Sequence, residues 1–121
     1  MSSNVDIYFR RGLSLLESFE YRAVSFGEGV TVVNVLQARE ELWAALRHDG
    51  PVVVDIDDAS EIDLTFIQLM ESARRKAAET GRDFTLRRPA DGAVLEVLRR
   101  GGFLDDETSE RAKFWLQGTA Q

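Results

Sequence analysis

One threonine stands where a side-chain hydroxyl could take part in chemistry. Thr65 follows the apolar run Val52–Ile56 and an acidic turn that contains Asp57, Asp58 and Asp63. An amphipathic pattern continues from there, which places Thr65 in the first turn of a predicted helix. A helix start presents free backbone N–H groups and the positive end of the helix dipole, and both favour a phosphoryl group. We therefore interpret Thr65 as a candidate phosphoacceptor that a partner enzyme could use as a switch.

The same residues also have a purely structural interpretation. Asp63 is a typical N-cap residue, and a Thr65 hydroxyl at a helix start can itself satisfy a free backbone N–H group. We expect Asp63 to cap the helix rather than to act as a catalytic carboxylate. On the residues alone, both interpretations of Thr65 stay open.

We expect the surface around Thr65 to bind a protein. The candidate partner-binding residues lie in the acidic turn and the start of the helix: Asp57, Asp58, Ser60, Asp63, Leu64, Thr65, Phe66 and Gln68. The first turn of a helix beside an acidic loop is commonly exposed, so Phe66 is the candidate apolar anchor. Asp55 could brace the turn by accepting hydrogen bonds from backbone N–H groups.

Composition excludes several other functions. The 121 residues are 44% apolar and fit one globular domain. The 21 acidic and 15 scattered basic residues give a net charge of −6, which argues against a nucleic-acid partner. Without cysteine, and with His48 as the only histidine, a zinc site or a nucleophile–histidine pair cannot be assembled. We expect a protein without enzymatic activity, cofactor or bound metal.

Neither a signal peptide nor a membrane span is indicated by the sequence. The N-terminus lacks a basic start followed by an apolar core, and no apolar run approaches the roughly 20 residues of a spanning helix. We expect a cytoplasmic protein without direct membrane insertion.

The elements that position Thr65 alternate along the chain. Predicted strands cover 21–26, 30–33, 52–56 and 84–86, and predicted helices cover 38–48, 64–78, a segment capped by Asp91 and ending at Arg100, and 107–117. Helix followed by strand, twice over, predicts an α/β fold with parallel crossovers. Residues 1–20 favour a strand or hairpin, although a helical face also fits. An N-terminal arm that pairs with a second copy would make a homodimer.

Across 21–104 these patterns resemble the STAS domains, named for sulfate transporters and anti-sigma factor antagonists. The resemblance rests on the ordered set 30–46, 52–56, 62–69, Arg87-Arg88-Pro89 and 94–104. It implies a mixed sheet of about four or five strands with helices mostly on one face, preceded by the arm 1–20 and followed by a C-terminal helix or tail at 105–121.

The resemblance also implies a role for the helix start. In anti-sigma antagonists of this family, that helix opens with Asp, two small hydroxyl residues and Gly, and a partner kinase phosphorylates the second hydroxyl. Asp63 matches the Asp and Thr65 matches the phosphorylated residue, whereas Leu64 replaces the first hydroxyl and Phe66 replaces the Gly. The two departures indicate an unusual partner, or binding without phosphorylation.

Three kinds of partner follow from the resemblance. The first is an anti-sigma or serine-kinase-like protein in bacterial partner switching, released when Thr65 is phosphorylated, because the phosphoryl group adds about −1.5 to −2 charges beside acidic residues. The second is the ATPase of a lipid-transporting ABC system, with this chain as its small STAS subunit. The third is a chemotaxis-type histidine kinase, with this chain as an accessory protein.

Overall fold

The computed structural model describes residues 7–11, 19–27, 29–48, 50–56 and 61–117, with side chains from Tyr21 onward. Six strands and four helices are found in this part of the chain. The strands are β1 (Ile7–Arg11), β2 (Phe19–Phe26), β3 (Gly29–Val30), β4 (Val52–Ile56), β5 (Glu61–Ile62) and β6 (Phe84–Leu86). The helices are α1 (Val35–Leu46), α2 (Leu64–Glu79), α3 (Gly92–Arg100) and α4 (Glu110–Leu116). None of these helices is long and apolar enough to cross a membrane.

The larger sheet has the strand order β1-β2-β4-β6. β1 runs antiparallel to β2, whereas β2, β4 and β6 are parallel to one another. The connections between the parallel strands contain α1 and α2, as the alternating sequence pattern predicts. The predicted mixed α/β class is therefore confirmed. β1 finds its strand partner within the chain, at β2.

One face of this sheet forms the core. The register aligns Val24, Val54 and Leu86 across three strands, and all three side chains are buried. The opposite face carries Ser25, which is half-buried, and Thr85, which is exposed. Every helix contributes to the same core cluster, with buried residues that include Leu42 of α1, Met70 of α2, Leu98 of α3 and Trp115 of α4.

The predicted strand at 30–33 is largely wrong. β3 ends at Val30, and the chain turns at 32–34 before entering α1. The Asn34 side chain holds this turn, because its Oδ1 accepts from the Thr31 N–H at 2.9 Å and its Nδ2 donates to the Gly29 carbonyl at 3.1 Å. An Asn side chain that satisfies local backbone groups competes with strand pairing, and here it outweighs the β-branched residues. It also lets α1 begin at Val35, earlier than the predicted residue 38.

A second, two-stranded parallel sheet pairs β3 with β5 and brings Gly29 opposite Glu61. Gly29 has a φ of +89°, and a Cβ at this position would lie 2.2 Å from the Glu61 carbonyl oxygen. Only glycine fits both the backbone conformation and the close approach. This pairing sets the residues before α1 beside the residues before α2.

The C-terminal helix α4 belongs to the core. Ser109 caps it by accepting from the Ala112 N–H at 3.1 Å, and Trp115 is fully buried. The Phe114 ring stacks on Phe84 of β6, with ring centroids 5.7 Å apart. The segment 105–121, which the STAS resemblance leaves outside the domain, therefore contains a helix that completes this fold.

Glu71, in the middle of α2, is a buried carboxylate that joins α2 to α4. It accepts hydrogen bonds from Trp115 Nε1 at 2.8 Å, Arg74 Nη2 at 2.8 Å and Arg111 Nε at 3.3 Å. Burial alone would raise the pKa of Glu71, but these hydrogen bonds and the Arg74 charge outweigh it and hold the pKa below its ordinary value. The carboxylate is therefore ionised in the folded protein near neutral pH.

Candidate functional site

Asp63 organises the start of α2. Its Oδ1 accepts from the Thr65 backbone N–H at 2.9 Å, which confirms the predicted N-cap. The Thr65 hydroxyl donates to the same oxygen. The second oxygen, Oδ2, accepts from the Val32 N–H at 3.0 Å. A single carboxylate thus ties the start of α2 to the turn between β3 and α1.

These hydrogen bonds also fix the charge of Asp63. The bond from the Thr65 hydroxyl is the main cause that lowers the pKa of Asp63 below its ordinary value of 3.8. Burial of the carboxylate raises its pKa, whereas hydrogen bonds from the backbone N–H groups of Val32 and Thr65 lower it further. Asp63 is therefore ionised at neutral pH, and a negative charge lies in contact with the candidate phosphoacceptor.

Thr65 lies in the first turn of α2, as the sequence predicts, and is half-buried. Its hydroxyl hydrogen points to Asp63, so the hydroxyl is engaged within the protein. Transfer of a phosphoryl group to Thr65 would break this hydrogen bond and place two anionic groups side by side. The modified and unmodified states therefore cannot share the same local geometry.

Four large apolar side chains are exposed on the two segments that Asp63 joins, the turn into α1 and the start of α2. Val32 is 68% exposed, Val33 91%, Leu36 76% and Leu64 46%, and these are the large hydrophobic residues exposed in the described part of the chain. Val32, Val33 and Leu36 follow one another through the turn into α1. Leu64 adjoins Asp63, whose carboxylate binds the Val32 N–H group. We call these four residues the exposed apolar cluster.

The burial of Phe66 contradicts one part of the predicted site. Its side chain is fully buried, so the expected exposed anchor at this position is wrong. The Phe66 ring makes edge contacts with Phe26 and Trp115, at centroid distances of 5.9 Å and 6.5 Å. Positions 66, 70, 73 and 77 form the inward stripe of α2, which points Phe66 to the core and leaves Leu64 outside.

The remaining predicted residues divide into two groups. Gln68, one turn after Leu64, is exposed and lies on the outer side of α2. Asp57, Asp58 and Ser60 lie outside the described residues. Asp55 lies apart from the start of α2, because its carboxylate pairs with guanidinium groups that follow β6.

The Asp55 pairs are long and partly exposed. One oxygen lies 3.4 Å from Arg87 Nη1 and the other 3.8 Å from Arg88 Nη2. Arg88 Nη2 also donates to the Ile56 carbonyl at 3.0 Å. This arrangement fastens the end of β4 to the segment after β6. Within the described ranges, no group of three or more histidine, cysteine or acidic residues is placed to hold a metal ion.

Sequence reasoning missed the part of the site that lies before α1. The sequence pattern predicts Val32 and Val33 as strand residues, and Leu36 precedes the predicted helix. The available signal was Asn34, because Asn is favoured at helix starts and in turns, and a turn there would expose the two preceding valines.

No protein-family model, curated protein or solved structure matches this chain.

Proposed function

We propose that this chain is a non-enzymatic protein-binding module of the kind used in bacterial partner switching, with Thr65 as its phosphoacceptor. The strongest support is the exposed apolar cluster, which Asp63 connects directly to Thr65. The Asp63 carboxylate therefore contacts both the proposed binding surface, at Val32, and the proposed phosphoacceptor, Thr65.

The cluster has the properties of a docking surface. Isolated exposed apolar residues are common in proteins, but several together, rimmed by polar groups, mark interaction sites. Burying one such side chain completely gives about 1.5–3 kcal/mol, so Val33 and Leu36 alone would contribute a substantial part of a micromolar affinity. The side-chain oxygens of Asn34 and Asp63 accept hydrogen bonds from the Thr31 and Val32 N–H groups and hold the turn in place, which reduces the entropy lost on binding.

Phosphorylation of Thr65 would act on the same surface. The phosphoryl group adds about −1.5 to −2 charges next to the ionised Asp63. At about 4 Å, each pair of unit charges costs on the order of 1–4 kcal/mol at a protein surface. Relief of this repulsion requires Asp63 to move, and its bond to the Val32 N–H group is then lost. Release of a partner selected for the unmodified form is the expected result.

The STAS-like arrangement supports this assignment in one further respect. The predicted order of a core strand, an acidic turn and a helix opening with Asp63 and Thr65 is the order in which STAS antagonists carry their switch. The mixed sheet with all described helices packed on one core face is compatible with that family.

One observation favours a second candidate function, the small STAS subunit of a lipid-transporting ABC system. The Thr65 hydroxyl is already bound by Asp63. A threonine in this state can serve as a structural part of a permanent interface, and no phosphorylation is then needed. The same cluster would hold the transporter ATPase.

Intact-mass measurement separates the two functions. The chain is incubated with ATP and the kinases encoded by neighbouring genes. We expect a gain of one phosphoryl group that Thr65→Ala abolishes and that Thr85→Ala, which changes an exposed threonine on β6, retains. Absence of any gain with all of these kinases refutes the switch. Stable co-purification with an ABC ATPase, unchanged by Thr65→Val, supports the subunit function instead.

A further inference from the structure

We infer that the partner covers the exposed apolar cluster with a basic amphipathic protein segment. This inference rests on the proposed function, because it names the chemistry of the partner for the same surface. It follows from the charges around the cluster and from what those charges would repel.

The chain segments that carry the cluster contain acidic residues but no basic ones. Segments 27–37 and 55–65 contain no lysine, arginine or histidine. Asp55 is paired with Arg87 and Arg88, so the described carboxylates that remain on these segments are Glu61 and Asp63. Glu61 is exposed on β5, next to the pairing that joins the two segments. Asp63 is held ionised by its hydrogen bonds. Among the described residues, Glu61 and Asp63 thus place negative charge beside the apolar surface at the start of α2.

The basic residue of α1 that is nearest in sequence to the cluster contacts an aromatic ring instead. Arg39 follows Leu36 by three residues, and its guanidinium lies over the Trp43 ring, 4.9 Å from the ring centroid. Trp43 is one turn further along α1, so this contact holds the charge away from the start of the helix. The acidic character of the cluster therefore remains uncompensated by Arg39.

Charge excludes three other occupants of the surface. A second copy of this chain, docked through the same face, would set carboxylates against carboxylates. An anionic membrane and a nucleic acid would both be repelled, because each is itself negatively charged. A protein segment with an apolar stripe bordered by lysine or arginine matches both the cluster and its surroundings.

The arrangement of the cluster suits a segment that crosses two elements. Val33 and Leu36 project from the turn before α1 and from its first turn, whereas Leu64 belongs to α2. A segment that contacts both elements lies beside Thr65 and Asp63. Its cations would then be the first groups to sense a change of charge at Thr65.

Two synthetic 18-residue amphipathic peptides test the inference on the full chain. Both have the same leucines at helical spacing, and the polar face is lysine in one and glutamate in the other. We expect the lysine peptide to shift the backbone amide NMR signals of residues 31–36 and 63–65, with affinity that falls several-fold at high salt. The glutamate peptide should leave these signals unchanged.

Matched variants then locate the binding. Leu36→Ser and Glu61→Lys should each weaken the lysine peptide at least about tenfold, which corresponds to 1.4 kcal/mol. Glu107→Lys makes the same charge change at an exposed residue outside both segments, and it should have little effect. All three positions are exposed, so thermal unfolding should stay close to that of the unmodified chain.

Two results would overturn the inference. Equal or tighter binding of the glutamate peptide at residues 31–36 would show that the surface binds amphipathic segments without preferring basic ones, and the proposed function would stand. No signal change at the cluster with either peptide would reject a basic amphipathic occupant. Neither result depends on the phosphorylation of Thr65, which the intact-mass measurement tests separately.

Discussion

Replacement of Glu71 by alanine should destabilise the protein far more than replacement of an ordinary helix carboxylate. Glu71 is buried between α2 and α4 and holds the indole N–H of Trp115 together with the guanidinium groups of Arg74 and Arg111. Glu71→Ala removes the acceptor that these three donors share. The helix itself is little affected, since alanine is a good helix former.

The expected loss can be estimated from the burial of each donor. The Trp115 N–H group is fully buried, and leaving it without an acceptor costs about 1–3 kcal/mol. Arg74 and Arg111 are 21% and 42% exposed, so water can replace the carboxylate and their contributions are each about 0.5 kcal/mol. The sum is about 2–4 kcal/mol. A domain of this size loses about 3–5 °C in Tm per kcal/mol, which predicts a fall of about 10 °C.

Glu96→Ala provides the control for this measurement. Glu96 also lies in a helix and pairs with an arginine, Arg100, at 2.9 Å, but both side chains are largely exposed. Its loss should cost about 0.5 kcal/mol or less. Unfolding in urea, followed by circular dichroism, measures both variants. If Glu71→Ala and Glu96→Ala lose the same free energy of unfolding, or if Glu71→Ala loses less than about 1 kcal/mol, the proposed role of Glu71 in holding α2 to α4 is refuted.

The same carboxylate should make stability depend on pH. Because the folded pKa of Glu71 is lower than its ordinary value of 4.5, the unfolded chain binds protons at a pH where the folded chain does not. The stabilisation is complete above the ordinary value and is lost as the pH falls below 4.5 through the folded pKa. Glu71→Gln, which cannot ionise, should reduce the loss of Tm over that acidic range. An identical pH profile for this variant would contradict the assignment.

Three further predictions test the structure around the site. Gly29→Ala should cost about 2 kcal/mol or more, because left-handed backbone strain alone costs about 1–2 kcal/mol and the new Cβ would meet a backbone oxygen at 2.2 Å; faster amide exchange in the β3–β5 pair would report it. Asp63→Ala should lower the free energy of unfolding by about 1 kcal/mol, whereas Asp91→Ala, at an N-cap without a side-chain hydrogen bond, should lower it less. Phe66→Ala should cost about 3–5 kcal/mol and Leu64→Ala under about 0.5 kcal/mol; similar values in urea unfolding would contradict their assigned burial.

Helix α2 shows how much of the fold could be predicted from the sequence. Asp63 gives the helix start and Thr80-Gly81 its end, and the apolar stripe that includes Met70 is visible in the spacing. That stripe already contains Phe66. The expectation of an exposed anchor failed because it applied a general tendency of first turns instead of the helical spacing, which places Phe66 inward.

Two other features depend on contacts that local patterns do not contain. Strand propensity at Val32 and Val33 has no effect without a neighbouring strand, and the Asn34 hydrogen bonds end β3 before them. Glu71 appears in the sequence as one polar residue among apolar ones. Its main partner, Trp115, is 44 residues further along the chain, and only the tertiary fold brings the two together.

The position of α4 in the core has a consequence for biosynthesis. During translation, the strands of the sheet and α2 are synthesised before Trp115 is added to the chain. Until then Glu71 faces a surface that lacks its buried donor, and the Phe66 ring lacks one of its neighbours. A nascent chain that stops at residue 104 would expose this unfinished side to chaperones and proteases. The domain is therefore expected to reach its stable form only after residues 110–116 have left the ribosome.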